Sequence, residues 1–279
     1  MSMAAGDQDY AYCAELLADG DRDRWLASLF IPQAQRPHVQ ALHAFAHEIE
    51  RIPTLVSDPR IGEIRLQWWR EVLEGERSGE AAQNPAAHAL VTTMRACSLP
   101  AQPLIDLIEA HRFDLYADPM PTMNDLEGWC GETASSLFRL AALVLGGNPE
   151  AGLADACGHA GVAFALARLL SSLPQQARRH QCFIPRDILD AQGISAANLW
   201  TGQSSPGLSK AISALVNAAR DHFAKARANV KLLPRALAPA FVPLAVVPLY
   251  LNAVERAPDP LAHAVEVAQW RRQWAMWRW

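Results

Sequence analysis

The chain predicts an all-α, single-domain fold over residues 1–279. Three observations carry this. Apolar residues recur at helical spacing along most of the length, interruptions fall at Pro and Gly clusters, and no stretch alternates with the period of a strand. With 279 residues and 51% hydrophobic composition there is enough apolar material for one large core, near the size at which cores divide.

Taken in order, residues 1–20 are expected to be loosely ordered. Val39, Leu42, Ala46 and Ile49 then mark one face of a helix. Ile61, Ile64, Leu66, Trp68, Trp69, Val72 and Leu73 are too dense for a thin stripe and predict a mostly buried helix. Further helices are expected over about 84–97, 103–115, 125–145, 149–172, 208–232, 239–254 and 260–279. Breaks are placed at Pro53, Ser57-Asp58-Pro59, Ser98-Leu99-Pro100, Gly146-Gly147-Asn148-Pro149, Ser204-Ser205-Pro206-Gly207 and Ala257-Pro258-Asp259-Pro260.

Several function classes fall away. The formal net charge is −4 and no basic run occurs, so a nucleic-acid partner is not expected. Five scattered cysteines without a CxxC pair argue against a zinc knuckle or disulfide framework and for a reducing, cytoplasmic setting. The first residues have neither a basic nor an apolar region of a secretory signal. Residues 236–254 carry no charge, about the minimum for a spanning helix, but Pro239, Pro243 and Pro248 favour a kinked helix in the core. GxGxxG, Walker and GxSxG patterns are absent.

Three sets of residues carry possible chemistry. His43, His47 and Glu50 share a helix face, the histidines at the spacing of helical zinc sites, with His111 or Asp114 as candidates for a further ligand. Ordinary core or surface histidines are the competing reading. Arg65, Arg70, Arg168, Arg178 and Arg179 are candidate anion-binding cations, although Arg70 stands four residues before Glu74 and suits an intrahelical pair. Trp270, Trp274 and Trp277 share a face near Arg271, Arg272 and Arg278, which suits either core packing with snorkelling arginines or peripheral membrane contact.

The order of several segments resembles the squalene/phytoene synthase family. These are Asp21-Arg22-Asp23-Arg24-Trp25-Leu26, Leu29-Phe30-Ile31-Pro32, Ala41-Leu42-His43-Ala44-Phe45, Ile61 through Arg70, Glu132-Thr133-Ala134-Ser135-Ser136-Leu137, and Ala177 through Leu189 with its Arg178-Arg179 and Phe183-Ile184-Pro185. The resemblance implies a helical bundle of the isoprenoid synthase type around a central cavity. In that family two DxxxD motifs hold Mg²⁺ on a prenyl diphosphate. Here the matching positions read Glu50, Arg51 and Thr54 in the first stretch, and Ser172 and Gln176 in the second. Within the family the chain resembles a divergent branch that includes an assembly factor of respiratory complex I.

That branch implies a protein without catalytic residues, metal or other cofactor. It would act on a nascent respiratory-complex subunit from the inner face of the membrane. An apolar prenyl or lipid pocket would be lined by Phe45, Ala163, Phe164 and Ala167, with Arg65, Arg70 and Arg168 at a head group. The small residues there equally suit close helix approach. The alternative is an active prenyltransferase in which Glu50 gathers Mg²⁺ with acids from elsewhere, such as Asp114 or Asp118.

Overall fold

A computed structural model describes residues 5–147, 151–202 and 204–279. Its helices are α1 (Ala5–Gly20), α2 (Arg22–Ser28), α3 (Arg36–Leu55), α4 (Pro59–Glu74), α5 (Ser78–Ala81), α6 (Pro85–Ala96), α7 (Gln102–Ala110) and α8 (Met123–Cys130). They continue as α9 (Ser136–Val144), α10 (Ala151–Ser171), α11 (Leu173–Arg178), α12 (Arg186–Asp190), α13 (Ala196–Trp200), α14 (Pro206–Val230), α15 (Val247–Arg256) and α16 (Gln269–Trp277). No β-strand occurs among the described residues, as the periodicity predicts. The predicted break at Asn148-Pro149 lies outside them.

The chain divides into two compact units. The first comprises Met1–Leu115, Ser136–Ala154 and Leu233–Val242, and the second Tyr116–Ser135, Asp155–Leu232 and Pro243–Trp279.

In the first unit α3 is the central helix, with α1, α2, α4, α6 and α9 packed against it. Val39, Leu42, Ala46 and Ile49 are all buried, so the predicted face is the packed one. Each fully buried Leu or Ile contributes about 1.5–3 kcal/mol. Residues 5–20 depart from the expected loose order: they form α1, whose Cys13 and Leu17 are buried. Its stability comes from packing against α3 and α6. The Tyr10 hydroxyl joins all three, at 3.0 Å from His38 Nδ1 and 3.1 Å from Thr93 Oγ1.

Helix α4 starts where Asp58 accepts the Arg60 amide and stops at Gly75, whose φ of +86° only glycine adopts without strain. It is less buried than predicted. Leu66, Trp69 and Val72 face inward, while Ile61 and Ile64 are exposed. An all-round apolar pattern hides which side faces solvent.

In the second unit α8 runs into a π-turn at Gly131–Ser135, so the predicted 125–145 helix carries a wide turn. Helix α14 packs against α12 and α15, and α11 against α13. Met120 N–H donates to the Cys182 carbonyl and Arg186 N–H to the Met120 carbonyl, tying the segment before α8 to the one before α12.

Two predicted helices are shorter than expected. Residues 235–246 form a 3₁₀ helix before α15, because Pro239 and Pro243 remove the amides that α-helical bonding needs. Residues 257–268 are irregular, and only Gln269–Trp277 is helical near the C-terminal end. There Asp259 accepts the Leu261 amide and Val265 donates to the Ser171 carbonyl, so these donors do not serve a helix. Gly152–Ser171 and Arg235–Arg256 are long and apolar enough to cross a membrane by composition, yet 67% and 61% of the most apolar 18-residue window in each are buried within the protein.

Candidate functional site

The first stretch lies on α3 in the first unit. Glu50 Oε1 is 2.7 Å from Arg24 Nη2, and Arg24 Nη1 is 3.2 Å from Asp21 Oδ2. Asp21 also caps α2 by accepting the Arg24 amide at 3.1 Å. The Arg24 side chain is 5% exposed, so a buried guanidinium bridges two carboxylates. Charge-assisted pairs of this kind are stronger than neutral hydrogen bonds, and removing one partner leaves an uncompensated charge.

The same unit holds further polar groups, of which His43, His111 and Asp114 are buried and His47 is half-buried. His43 is buried, and His47 presses against Gly20, where an added Cβ would sit 2.2 Å from Nε2. His111 Nδ1 and Asp114 Oδ2 are 2.6 Å apart, both residues buried. Burial alone would lower the His111 imidazole. The Asp114 carboxylate, reinforced by Glu50, overcomes this and holds it above the ordinary histidine value, against a smaller opposing effect of Arg24. Glu50, Arg24, His111 and Asp114 therefore form one electrostatic neighbourhood. Arg51 pairs with Glu48 at 3.1 Å, and the exposed Thr54 hydroxyl donates to the Arg51 carbonyl.

The second stretch lies in the second unit. Ser172 ends α10 and its hydroxyl donates to the Arg168 and Leu169 carbonyls at 3.0 and 3.2 Å. Gln176 is buried, and its Nε2 donates to the Leu169 carbonyl at 2.6 Å and to Ser172 Oγ at 3.0 Å. These two side chains add further donors to the Arg168 and Leu169 carbonyls, which also accept from the Ser172 amide at 3.2 Å. A carboxylate at 176 has no hydrogen to give the Leu169 carbonyl.

Upstream, Ala163, Phe164 and Ala167 are buried, and the Arg168 guanidinium lies 5.6 Å from the Phe164 ring centre. A Cβ on Gly161 would come within 2.1–2.4 Å of Ser135 Oγ, N and Cα, and Ser135 Oγ donates to the Gly158 carbonyl. At this level the small residues of α10 admit the backbone of the π-turn. Between α10 and α14, His159 Nδ1 is 3.0 Å from His222 Nδ1, and His222 Nε2 is 3.4 Å from Glu127.

The remaining expected residues are placed as follows. Phe45 is buried edge-on against Trp69 in the first unit. Arg65 is exposed, whereas Arg70 is held by Glu74 and Glu109, both at 3.0 Å. Arg178 and Arg179 are exposed, as is Asp118. Trp270, Trp274 and Trp277 are 65%, 54% and 70% exposed, so they are not the packing face of the last helix.

These donors do not suit the Mg²⁺ that the fold family implies. A hard cation seeks carboxylate oxygens together with substrate phosphates. Glu50 already carries Arg24, Arg51 adds a cation beside it, and Asp114 is bonded to His111. Ser172 and Gln176 direct polar hydrogens to the protein's own carbonyls. Nor do three or more His, Cys, Asp or Glu side chains among the described residues converge as a metal set, including any built on His43 and His47. Sequence reasoning missed Arg24 as a member of the site. Its spacing from Asp21, three residues along a helix, was the available signal, but the partnership with Glu50 is made across elements.

Comparison with known proteins adds three likenesses. A Bos taurus protein named NADH dehydrogenase (ubiquinone) complex I, assembly factor 6, is 27% identical over 252 residues, covering 90% of this chain and 75% of that protein. A 15-cis-phytoene synthase of Synechocystis is 25% identical over 246 residues, covering 83% and 72%. The crystal structure of squalene synthase HpnC from Alicyclobacillus acidocaldarius superposes with a TM-score of 0.77 at 25% identity, covering 90% and 94%. The fold is thus that of an isoprenoid synthase, and with the squalene/phytoene synthase profile matching residues 17–278, the chain belongs to that family.

Proposed function

We propose that this protein acts by binding rather than by prenyl transfer, as an assembly factor for a respiratory NADH dehydrogenase of the complex I type. The observation that carries the reading is the prior engagement of the motif side chains: Glu50 with Arg24, and Ser172 and Gln176 with the carbonyls closing α10. Ionising a prenyl diphosphate requires neutralising the departing pyrophosphate, which a metal held by free carboxylates would supply. The likeness to complex I assembly factor 6 over 90% of the chain points to the same class of role. Its partner is then a nascent subunit of that enzyme.

The phytoene synthase likeness favours a second reading, an active prenyltransferase. That reading needs Glu50 and Asp114 to leave Arg24 and His111 for a metal. One assay separates the two. The purified chain is incubated with farnesyl or geranylgeranyl diphosphate and Mg²⁺, and pyrophosphate is followed. No release above the protein-free control is expected; turnover would establish the second reading. Deleting the gene in its source organism should reduce assembled NADH dehydrogenase on native gels, and unchanged assembly would sink the proposed role.

A further inference from the structure

The geometry points to α16 as a ridge that docks on an anionic lipid bilayer, and we propose it as the membrane-binding surface of the second unit. This inference does not depend on whether the protein is catalytic. The helix has two distinct sides. Met276 is buried, and the Trp279 ring lies 6.0 Å from Phe223, so this side holds α16 to its unit. The other side presents Trp270, Gln273, Trp274 and Trp277 on one open apolar surface. Trp274 and Trp277 stack at 5.3 Å. A lone exposed tryptophan is ordinary, but three contiguous ones mark a surface that something covers.

The flanking charges say what covers it. Helix α16 carries Arg271 and Arg272, Arg278 follows at once, and no acidic residue occurs between 267 and 278. The Arg271 guanidinium lies 5.3 Å from the Trp270 ring centre, and that of Arg278 lies 5.7 Å from Trp274. Indoles flanked by guanidinium groups match the layer where acyl chains meet phosphates: the ring is apolar, its N–H is polar, and arginine meets the anion.

A second copy of the chain fits less well, because apposed ridges bring Arg271 and Arg278 of both copies together. Beside the ridge is a cleft of about 330 Å³ lined by Leu249, Asn252, Arg256, Glu266 and Arg271 among others. Arg271 borders both surfaces. It would hold a head-group phosphate, with Arg256, while the indoles enter the interface.

Vesicle flotation of the full chain tests this. Binding is expected to vesicles containing phosphatidylglycerol, to weaken as salt rises, and to be much weaker for phosphatidylcholine alone. The W270A/W274A/W277A variant should lose binding while keeping its helical circular dichroism, since the replaced side chains are exposed. R271Q/R278Q should weaken binding by roughly fivefold per arginine removed. Because the triple variant removes so much surface, W274F provides a milder check: brominated lipid should quench its total fluorescence less than that of the unchanged chain. Flotation of the triple variant at the unchanged level, equal binding to phosphatidylcholine, or no binding to either vesicle would overturn the proposal. So would a tryptophan-dependent dimer in sedimentation without flotation, which would assign the ridge to a second copy.

Discussion

Arg24 donates to Asp21 and Glu50 from a position closed to water, while the guanidinium cannot shed its charge. Replacing it with the similarly long Met leaves two carboxylates without their cation. R24M is expected to cost about 3–5 kcal/mol in urea unfolding. Adding E50Q should restore part of the loss, and full additivity of the two changes would deny their coupling. At the other stretch, Q176D puts an acceptor against the Leu169 carbonyl and should cost about 1–3 kcal/mol. Titration with Mn²⁺, a spectroscopic stand-in for Mg²⁺, is expected to show no new site in that variant. Recovery of metal binding would mean that the loss of the acid, rather than the surrounding bonds, governs the stretch.

At the scale of elements, α10 and the π-turn approach closely at only some points. Gly161 faces the Ser135 backbone without room for a methyl group, whereas a Cβ on Gly158 meets nothing within 4 Å. G161A should therefore destabilise the protein by about 1–3 kcal/mol through overpacking. G158A should stabilise it by about 0.5–1 kcal/mol, because alanine loses less conformational freedom in a helix. Paired thermal melts check both signs. A gain for G161A would show that the π-turn yields, and that its geometry is not set by this contact. The predicted helices near 84–97 and 208–232 were legible because capping and periodicity are local: Asn84 and Ser205 cap them, and Pro85 and Pro206 begin them. The short α16 was not, because a distant carbonyl, that of Ser171, takes the Val265 amide.

At the scale of the whole molecule, two histidines, one in each unit, respond oppositely to acid. In the first, the raised His111 value means that protonation favours the fold. Its contribution is complete below the ordinary histidine range and is lost as pH rises through the raised value. In the second, burial first, then His222 and Lys225, hold His159 below the ordinary value, against the smaller opposing pull of Asp155 and Glu127. Its contribution is present above the ordinary range and is lost as pH falls through the lowered value. Burial also lowers His38 on α3, so that helix responds as His159 does. Hydrogen exchange followed from neutral pH to about 5.5 should therefore show α10 and α14 losing protection before α2 and α7, which flank His111. H159Q should flatten the response of α10 and α14, and an unchanged response would remove His159 as its source.

The sequence by itself determined the helical class, most of the breaks, the family and the unusual residues at the two motif positions. Each of these is a property of composition, local spacing or order along the chain. Only the tertiary structure decided that Arg24 neutralises Glu50, that Gln176 donates to the Leu169 carbonyl, that residues 5–20 are a packed helix, and that the C-terminal tryptophans face outward. The reason is physical. Periodicity states which side chains share a face, but the partner of a charge or the cover of an apolar stripe comes from another part of the chain, and folding alone brings the two together.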